Sequence, residues 1–351
     1  MESQSLVNGN GREKVQGLWF RPRLKEPVDG DKYMIYMIPG NPCLMTFYGP
    51  FLSTLFSLLD SEASSRKFSA HVGGYTLPGF ESTTGSRMGG VELPASLRSQ
   101  VRHTEELIKL GHNNIVRQNT SSHDDRPPKV ILIAHSVGAY IALEILRRRV
   151  QGQNDMLKID IVGGVFVCPT IVDIAQSPQG AKMNRLVSIP HFPAIAGALA
   201  KLVTFLLPIS ALQWLITFLA RVPPHIAQAN AEWLKSPYGV QQAFSMAKDN
   251  MHEIKEDTWD QAIWGSPNAS SSASVPLKFY FAGNDEWVPS PSRDALIRSR
   301  GRLAGGSIPE DRWKPEMFID ENKVPHAFII NHSEFVAEKV KSMIEDIIDK
   351  D

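Results

Sequence analysis

Three residues far apart in the chain, Ser136, Asp285 and His326, have the types and the order that nucleophilic acyl transfer requires. A serine hydroxyl is too weak an acid to attack an ester unaided. A histidine must take its proton, and a carboxylate must orient that histidine. Ser136 lies in "VILIAHSVGAY" (Val130–Tyr140), where an apolar run ends directly on a His-Ser pair. A serine presented on a strained strand-to-helix turn needs small residues two before and two after it, so that the turn can pack against its neighbours. Gly138 supplies the second small residue, and Ala134 stands at the first, where glycine is usual. One extra methyl tests that rule without breaking it.

The partners follow downstream. Of ten histidines, His326 and His332 lie beyond the last apolar strand pattern. His326, in "KVPHAFII", occupies a loop before an apolar stretch and is the favoured base; His332 reads as a surface or capping residue at the final helix. The acid is expected just after a strand, and "LKFYFAGNDEWVP" places Asp285 there, with Glu286 as the adjacent alternative. A tetrahedral intermediate also needs two backbone N–H donors. The residue after the nucleophile, Val137, is one candidate. The loop "IPGNPC" offers Asn41, since Pro42 has no N–H, with Cys43 a weaker candidate and Gly40 allowing close approach. This chemistry needs no metal and no organic cofactor.

Such a site needs strands that end beside one another. Short apolar runs at Tyr33–Pro39, Lys129–His135, Ile159–Pro169 and Leu277–Gly283 read as buried parallel strands by length and β-branched content. Helical patterns lie between them. One runs from Ser96 and stops at Gly111; another follows the serine and ends in three arginines, favourable at the negative end of a helix dipole. The final pattern carries a stripe of Phe335, Val336, Val340, Met343, Ile344 and Ile347, with Asn331 and Glu334 at capping-box spacing. Alternating strands and helices imply an α/β fold with a mainly parallel sheet. The polar stretches Gly111–Pro128 and Gly265–Pro276 read as solvated loops.

Composition excludes several classes. Lys plus Arg and Asp plus Glu both number 37, which argues against a broad nucleic-acid footprint. Two cysteines, Cys43 and Cys168, make neither a disulfide scaffold nor a zinc cluster, and Cys168 reads as a buried small hydrophobe. The polar N-terminus lacks a signal-peptide core, so the expected location faces the cytosol and the sequons at Asn119 and Asn268 are chance matches.

Residues 170–275 break the strand-helix alternation and read as a helical cap inserted into one domain spanning 1–351. Within the cap, Leu202–Ala220 runs nineteen positions without a charge, long enough as one helix to cross a bilayer. A single crossing would separate Ser136 from Asp285, and Pro208 interrupts the run. The expectation is a hairpin of two short apolar helices over residues 195–221. It either dips into one leaflet or a droplet monolayer, or covers an apolar acyl pocket. Trp214, Lys201 and Arg221 suit interfacial anchors.

With "IPGNP" (Ile38–Pro42), "AHSVGAY" (Ala134–Tyr140), "CPTI" (Cys168–Ile171), "SPQG" (Ser177–Gly180) and "GNDEWVP" (Gly283–Pro289), the sequence resembles the lipid-droplet-associated hydrolase family. The resemblance implies an α/β-hydrolase fold, residence on lipid droplets and the cytosolic face of the endoplasmic reticulum, and a role in neutral lipid turnover. It carries the nucleophile onto Ser136, the acid onto Asp285 and the base onto His326. Cys43, where the family motif often has another glycine, and the polar Gly111–Pro128 insertion depart from it. The expected activity is serine hydrolysis of a sterol ester or glyceride, with acyl transfer by the same triad left open. The reading of a different class is a protein that binds or organises the droplet surface with little turnover.

Overall fold

Short apolar runs form the centre of the sheet because both of its faces are covered. A computed structural model describes residues 5–7, 14–22, 30–82, 91–119, 126–265, 275–303 and 313–351. In chain order its elements are β1 (Ser5–Val7), β2 (Lys14–Phe20), β3 (Asp31–Ile38), α1 (Gly49–Arg66), β4 (Phe68–Tyr75), α2 (Leu97–Asn119), β5 (Lys129–His135), α3 (Val137–Val150) and β6 (Ile161–Val167). There follow α4 (Pro178–Val187), α5 (Phe192–Thr204), α6 (Ile209–Ala220), α7 (Pro224–Lys235), α8 (Gly239–Glu253) and α9 (Gln261–Trp264). The chain then completes the sheet with β7 (Leu277–Phe281), α10 (Ser290–Arg300), β8 (Arg302–Leu303), β9 (Glu316–Ile319) and α11 (Ser333–Ile348).

The strands order as β1-β2-β4-β3-β5-β6-β7-β9-β8, with β1 and β2 antiparallel and every pairing from β4 onward parallel. Along β5, Val130, Leu132 and Ala134 enter one apolar cluster while Ile131 and Ile133 enter the other, the period of two that a pleated strand imposes. Leu107 of α2 and Ile141 of α3 cover the first face; Phe51 and Leu55 of α1 and Val336 and Val340 of α11 cover the second. The expected α11 stripe is thus the seam that closes the sheet, and Gly163 of β6 leaves the space that Ile347 fills.

Two local expectations are corrected. Helix α2 does not stop at Gly111 but continues to Asn119, burying Ile115. A β-carbon at Gly111 would lie 3.0 Å from the Trp19 ring, so this glycine admits the indole rather than ending the helix. The Asn331–Glu334 box does not form: His332 is the N-cap of α11, and its side chain makes no capping bond. The polar run at 266–274, the sequon it carries and residues 120–125 lie outside the described residues, as do residues 1–4 and 8–13.

All of α4 to α9 lies between β6 and β7. The apolar run breaks at Pro208, which becomes the N-cap of α6. Lys235 of α7 secures the break, donating to the Thr204 carbonyl at 2.9 Å and the Leu207 carbonyl at 2.5 Å, at and just past the end of α5. Among the described residues no single helix is long and apolar enough to cross a membrane.

Candidate active site

Parallel strands bring their carboxyl ends to one edge, where each is followed by a loop that needs no hydrogen bonds from the sheet. Five such ends build the site. β3 leads to Gly40 and Asn41, β5 to Ser136, β6 to Thr170, β7 to Asp285, and β9 to His326.

Ser136 has φ 55° and ψ −126°, a left-handed conformation that costs a non-glycine residue about 1–3 kcal/mol. The turn is forced by crowding. A β-carbon at Gly138 would fall 2.5 Å from the Ile38 carbonyl oxygen, and one at Gly40 would fall 2.9 Å from the Ser136 Cβ. Ala134 is fully buried in the apolar cluster beside α3, so its methyl is accommodated by packing.

The Ser136 Oγ is 2.9 Å from His326 Nε2, and His326 Nδ1 is 2.8 Å from Asp285 Oδ2. The other Asp285 oxygen accepts from the Trp287 N–H at 2.8 Å. Asp285 is buried, whereas Glu286 points outward and accepts from the Gln179 side chain at 2.6 Å. The structure therefore joins Asp285, not Glu286, to the histidine. It likewise uses His326 and leaves His332 at the start of α11. A histidine held this way, its Nδ1 proton on a carboxylate and its Nε2 toward a hydroxyl, can take the serine proton.

The His326 loop is tied down by a residue that sequence reasoning missed. Asp320, just after β9, accepts from Tyr280 Oη at 2.5 Å and from the Val324 N–H at 2.7 Å. Burial opposes its charge, but these donors and Asn322 outweigh it and hold the carboxyl below its ordinary range.

A second missed element is a buried polar chain behind the serine. His135 Nε2 is 2.9 Å from the His326 carbonyl oxygen, which can only accept, so this nitrogen carries the proton. His135 Nδ1 then accepts from the Tyr48 hydroxyl at 2.8 Å, and the Tyr48 oxygen accepts from the Gly40 N–H at 2.8 Å. Burial above all, and then the facing His326, push the His135 imidazole down to about 3, keeping it neutral. One imidazole and one phenol thereby fasten three of the five loops together. Their sequence signal is slight: a histidine before the serine and a tyrosine in an apolar run.

The Gly40 amide is spent on Tyr48. Val137 is the first residue of α3 and has no acceptor within its own helix. The Asn41 side chain donates to the Ala243 carbonyl of α8 at 2.9 Å, which fixes that loop to the helices above it. Cys43 is fully buried, with its sulfur 3.7 Å from Met246 Sδ.

Cys168, Asp285 and His326 place ligand atoms within 4.8 Å of one another. Burial, then the Asp285 charge, push the Cys168 thiol up, so its neutral form is a poor metal ligand, and the other two groups are committed to each other.

Above Ser136 lies a cavity of about 430 Å3, the size of a single small-ligand site. Its floor is Gly40, Ser136 and His326, and its walls are Met183, Ile226, Trp233, Phe244 and Met251 from α4, α7 and α8.

Fold and site together define an α/β-hydrolase architecture. Solved structures agree on the fold. The peroxisomal alpha-beta-hydrolase of Saccharomyces cerevisiae superposes with a TM-score of 0.56 at 11% identity, over 99% of this chain and 86% of that one. An alpha/beta hydrolase fold protein from Burkholderia ambifaria gives 0.51 at 13% identity, over 97% and 99%. The family model for lipid-droplet associated hydrolase matches residues 31–329, and the chain belongs to that family. Proteins named lipid droplet-associated hydrolase from Gallus gallus and Drosophila melanogaster are 25% and 24% identical to it. These matches span 95% and 94% of this chain and 91% and 92% of theirs.

Proposed function

We propose that this protein is a serine hydrolase of lipid esters that works at the lipid-droplet surface. The observation that carries the reading is the hydrogen-bonded sequence Asp285–His326–Ser136 on the floor of an apolar cavity. Ser136 attacks the ester carbonyl while His326 accepts its proton. The Val137 and Asn41 amides stabilise the oxyanion, and His326 returns the proton to the departing alcohol. Asp285 keeps the imidazole in the tautomer that accepts at Nε2. Water then enters, His326 takes its proton, and the acyl-enzyme is hydrolysed.

The helices over residues 170–275 act as the cap that selects the acyl chain. Its outer surface supports attachment to lipid on the cytosolic face of droplets and endoplasmic reticulum. Leu202, Phe205, Leu206, Trp214, Phe218 and Leu219 are each at least two-thirds exposed. Trp214 and Phe218 stack outside the fold with ring centroids 5.7 Å apart. So large an exposed apolar patch marks an interaction surface. No acidic residue occurs between Asp173 and Glu232, while Lys182, Arg185, Lys201 and Arg221 do, which suits phospholipid headgroups. Ser136 and Asp285 share one site, so the intervening segment enters and leaves lipid on the same side.

A fluorophosphonate probe tests the chemistry. Labelling of the wild type and not of Ser136→Ala is expected; an unlabelled wild type, with and without lipid, refutes the enzyme and leaves the surface-binding role.

A further inference from the structure

One hydroxyl beside the nucleophile has no part in the steps above. Thr170 follows β6, is 1% exposed, and holds its Oγ1 3.5 Å from Ser136 Oγ. Among the described residues its side chain makes no other hydrogen bond. The backbone is bent to put it there. Cys168, directly after β6, has φ 46°, a left-handed conformation that residues with a β-carbon rarely adopt. Its N–H donates to the Tyr280 carbonyl of β7 at 2.8 Å, and the Thr170 N–H donates to the Ser136 carbonyl at 3.2 Å. The turn after β6 is thus folded back onto the serine and fastened to it.

The positions of the protons fix the direction of this contact. With its Nδ1 proton on Asp285, His326 accepts the Ser136 proton at Nε2. Ser136 Oγ then offers only lone pairs, so the Thr170 hydroxyl is the donor. At 3.5 Å the bond is long for O–H···O and contributes little to folding, while burying a hydroxyl among Ile171, Val172 and Ile174 opposes it. A valine has the same shape without that cost. The hydroxyl matters when Oγ becomes charged, because a hydrogen bond to an ionised oxygen is shorter and stronger than a neutral one. An interaction that strengthens between ground and transition state lowers the barrier.

Resting on the hydrolase reading above, we propose that Thr170 is a catalytic residue, whose hydroxyl donates to Ser136 Oγ and stabilises it both as attacking and as departing oxygen. In acylation the Ser136 proton passes to His326 Nε2, Oγ bonds to the carbonyl carbon, and the carbonyl π electrons move onto the carbonyl oxygen. In deacylation the second tetrahedral intermediate collapses, the C–Oγ bond breaks, and His326 returns a proton to Oγ. Negative charge develops on Oγ in both steps, and Thr170 keeps its own proton throughout.

The purified full chain and its Thr170→Val and Thr170→Ser variants are compared by fluorophosphonate labelling rate, p-nitrophenyl butyrate turnover and Tm. Thr170→Val is expected to slow labelling about tenfold to hundredfold, the range for a hydrogen bond to a charged group. Its kcat and kcat/KM should fall by the same factor with KM unchanged, as for an interaction made only in the transition state. Its Tm should stay at or above the wild-type value, which separates the effect from loss of structure. Thr170→Ser keeps the hydroxyl and should label at close to the wild-type rate. Thr170→Ala removes the same hydroxyl and replaces the valine variant if that one does not fold. A hydroxyl-free variant that labels at the wild-type rate overturns the proposal. So does an equal loss in Thr170→Ser and Thr170→Val, which would assign the effect to packing of the γ-methyl group. A wild type that neither labels nor turns over ester refutes the hydrolase reading itself, whereas a labelled wild type matched by Thr170→Val refutes the role of Thr170 alone.

Discussion

Replacing Tyr48 by Phe removes one oxygen atom and tests whether the chain behind Ser136 holds the site together. That oxygen accepts from the Gly40 N–H and donates to His135 Nδ1, both at 2.8 Å, and its residue is 2% exposed. The substitution leaves two buried groups without partners. An unsatisfied buried polar group costs about 1–3 kcal/mol, so the expected loss is about 2–6 kcal/mol, a large share of the ~5–15 kcal/mol typical of a folded domain. Tyr33→Phe is the same chemical change with a different expectation. The Tyr33 hydroxyl donates to Asp351 Oδ2, and that carboxylate keeps its Lys129 ion pair at 2.6 Å when the hydroxyl is gone. Its loss should be about 0.5–1.5 kcal/mol, the net worth of one ordinary hydrogen bond. Urea unfolding of both variants, followed by tryptophan fluorescence and compared at equal slope m, measures the difference. The probe-labelling rate of Tyr48→Phe should also fall, since His135 supports the carbonyl of His326 itself. Equal losses in the two variants, with labelling unchanged in Tyr48→Phe, would show that the chain positions nothing.

Acid should expose the same residue. His135 titrates at about 3 when folded, far below the ordinary 6.5, so between these values the unfolded chain binds a proton that the native state refuses. Stability therefore falls as pH drops through this window, by up to about 1.4 kcal/mol per pH unit, and His135→Asn should flatten that limb in urea titrations at several pH values. At the nucleophile, Ser136→Gly and Ser136→Ala both abolish labelling. Only the glycine relieves the positive φ, and calorimetry should find it more stable than the alanine variant by about 1 kcal/mol. For attachment, changing Leu206, Trp214 and Phe218 together to Glu should lower partition onto phospholipid-coated droplets at least 100-fold and leave labelling in detergent intact. None of the three lines the cavity, and each buried apolar side chain is worth about 1.5–3 kcal/mol. Unchanged partition would exclude this face as the contact.

The sequence by itself determined whatever depends on neighbours along the chain. The strand, serine and glycine of Lys129–Gly138 make a local strand-to-helix turn, and Pro208 divides the apolar run wherever the rest of the fold sits. The order Ser136, Asp285, His326 was also legible, because each residue directly follows or precedes a strong apolar pattern. Other features stayed hidden because opposite causes leave the same local signal. Strand β4 has no counterpart among the apolar runs read from the sequence; its Gly73 and Gly74 stand where a β-carbon would fall 2.3 Å from the Leu18 carbonyl and 2.4 Å from the Met37 carbonyl. Gly111 looks like a helix stop and is a seat for Trp19. Asp285 and Glu286 are equivalent acids in sequence; one is buried toward the histidine and the other turned out to Gln179. Asp320 and Tyr48 acquire meaning only from partners such as Tyr280 and His135, distant in the chain. His326 and Ser136 are separated by 190 positions. Parallel pairing of β5, β6, β7 and β9 is what brings their ends to one edge of the sheet, and that pairing is a property of the assembled core rather than of any segment within it.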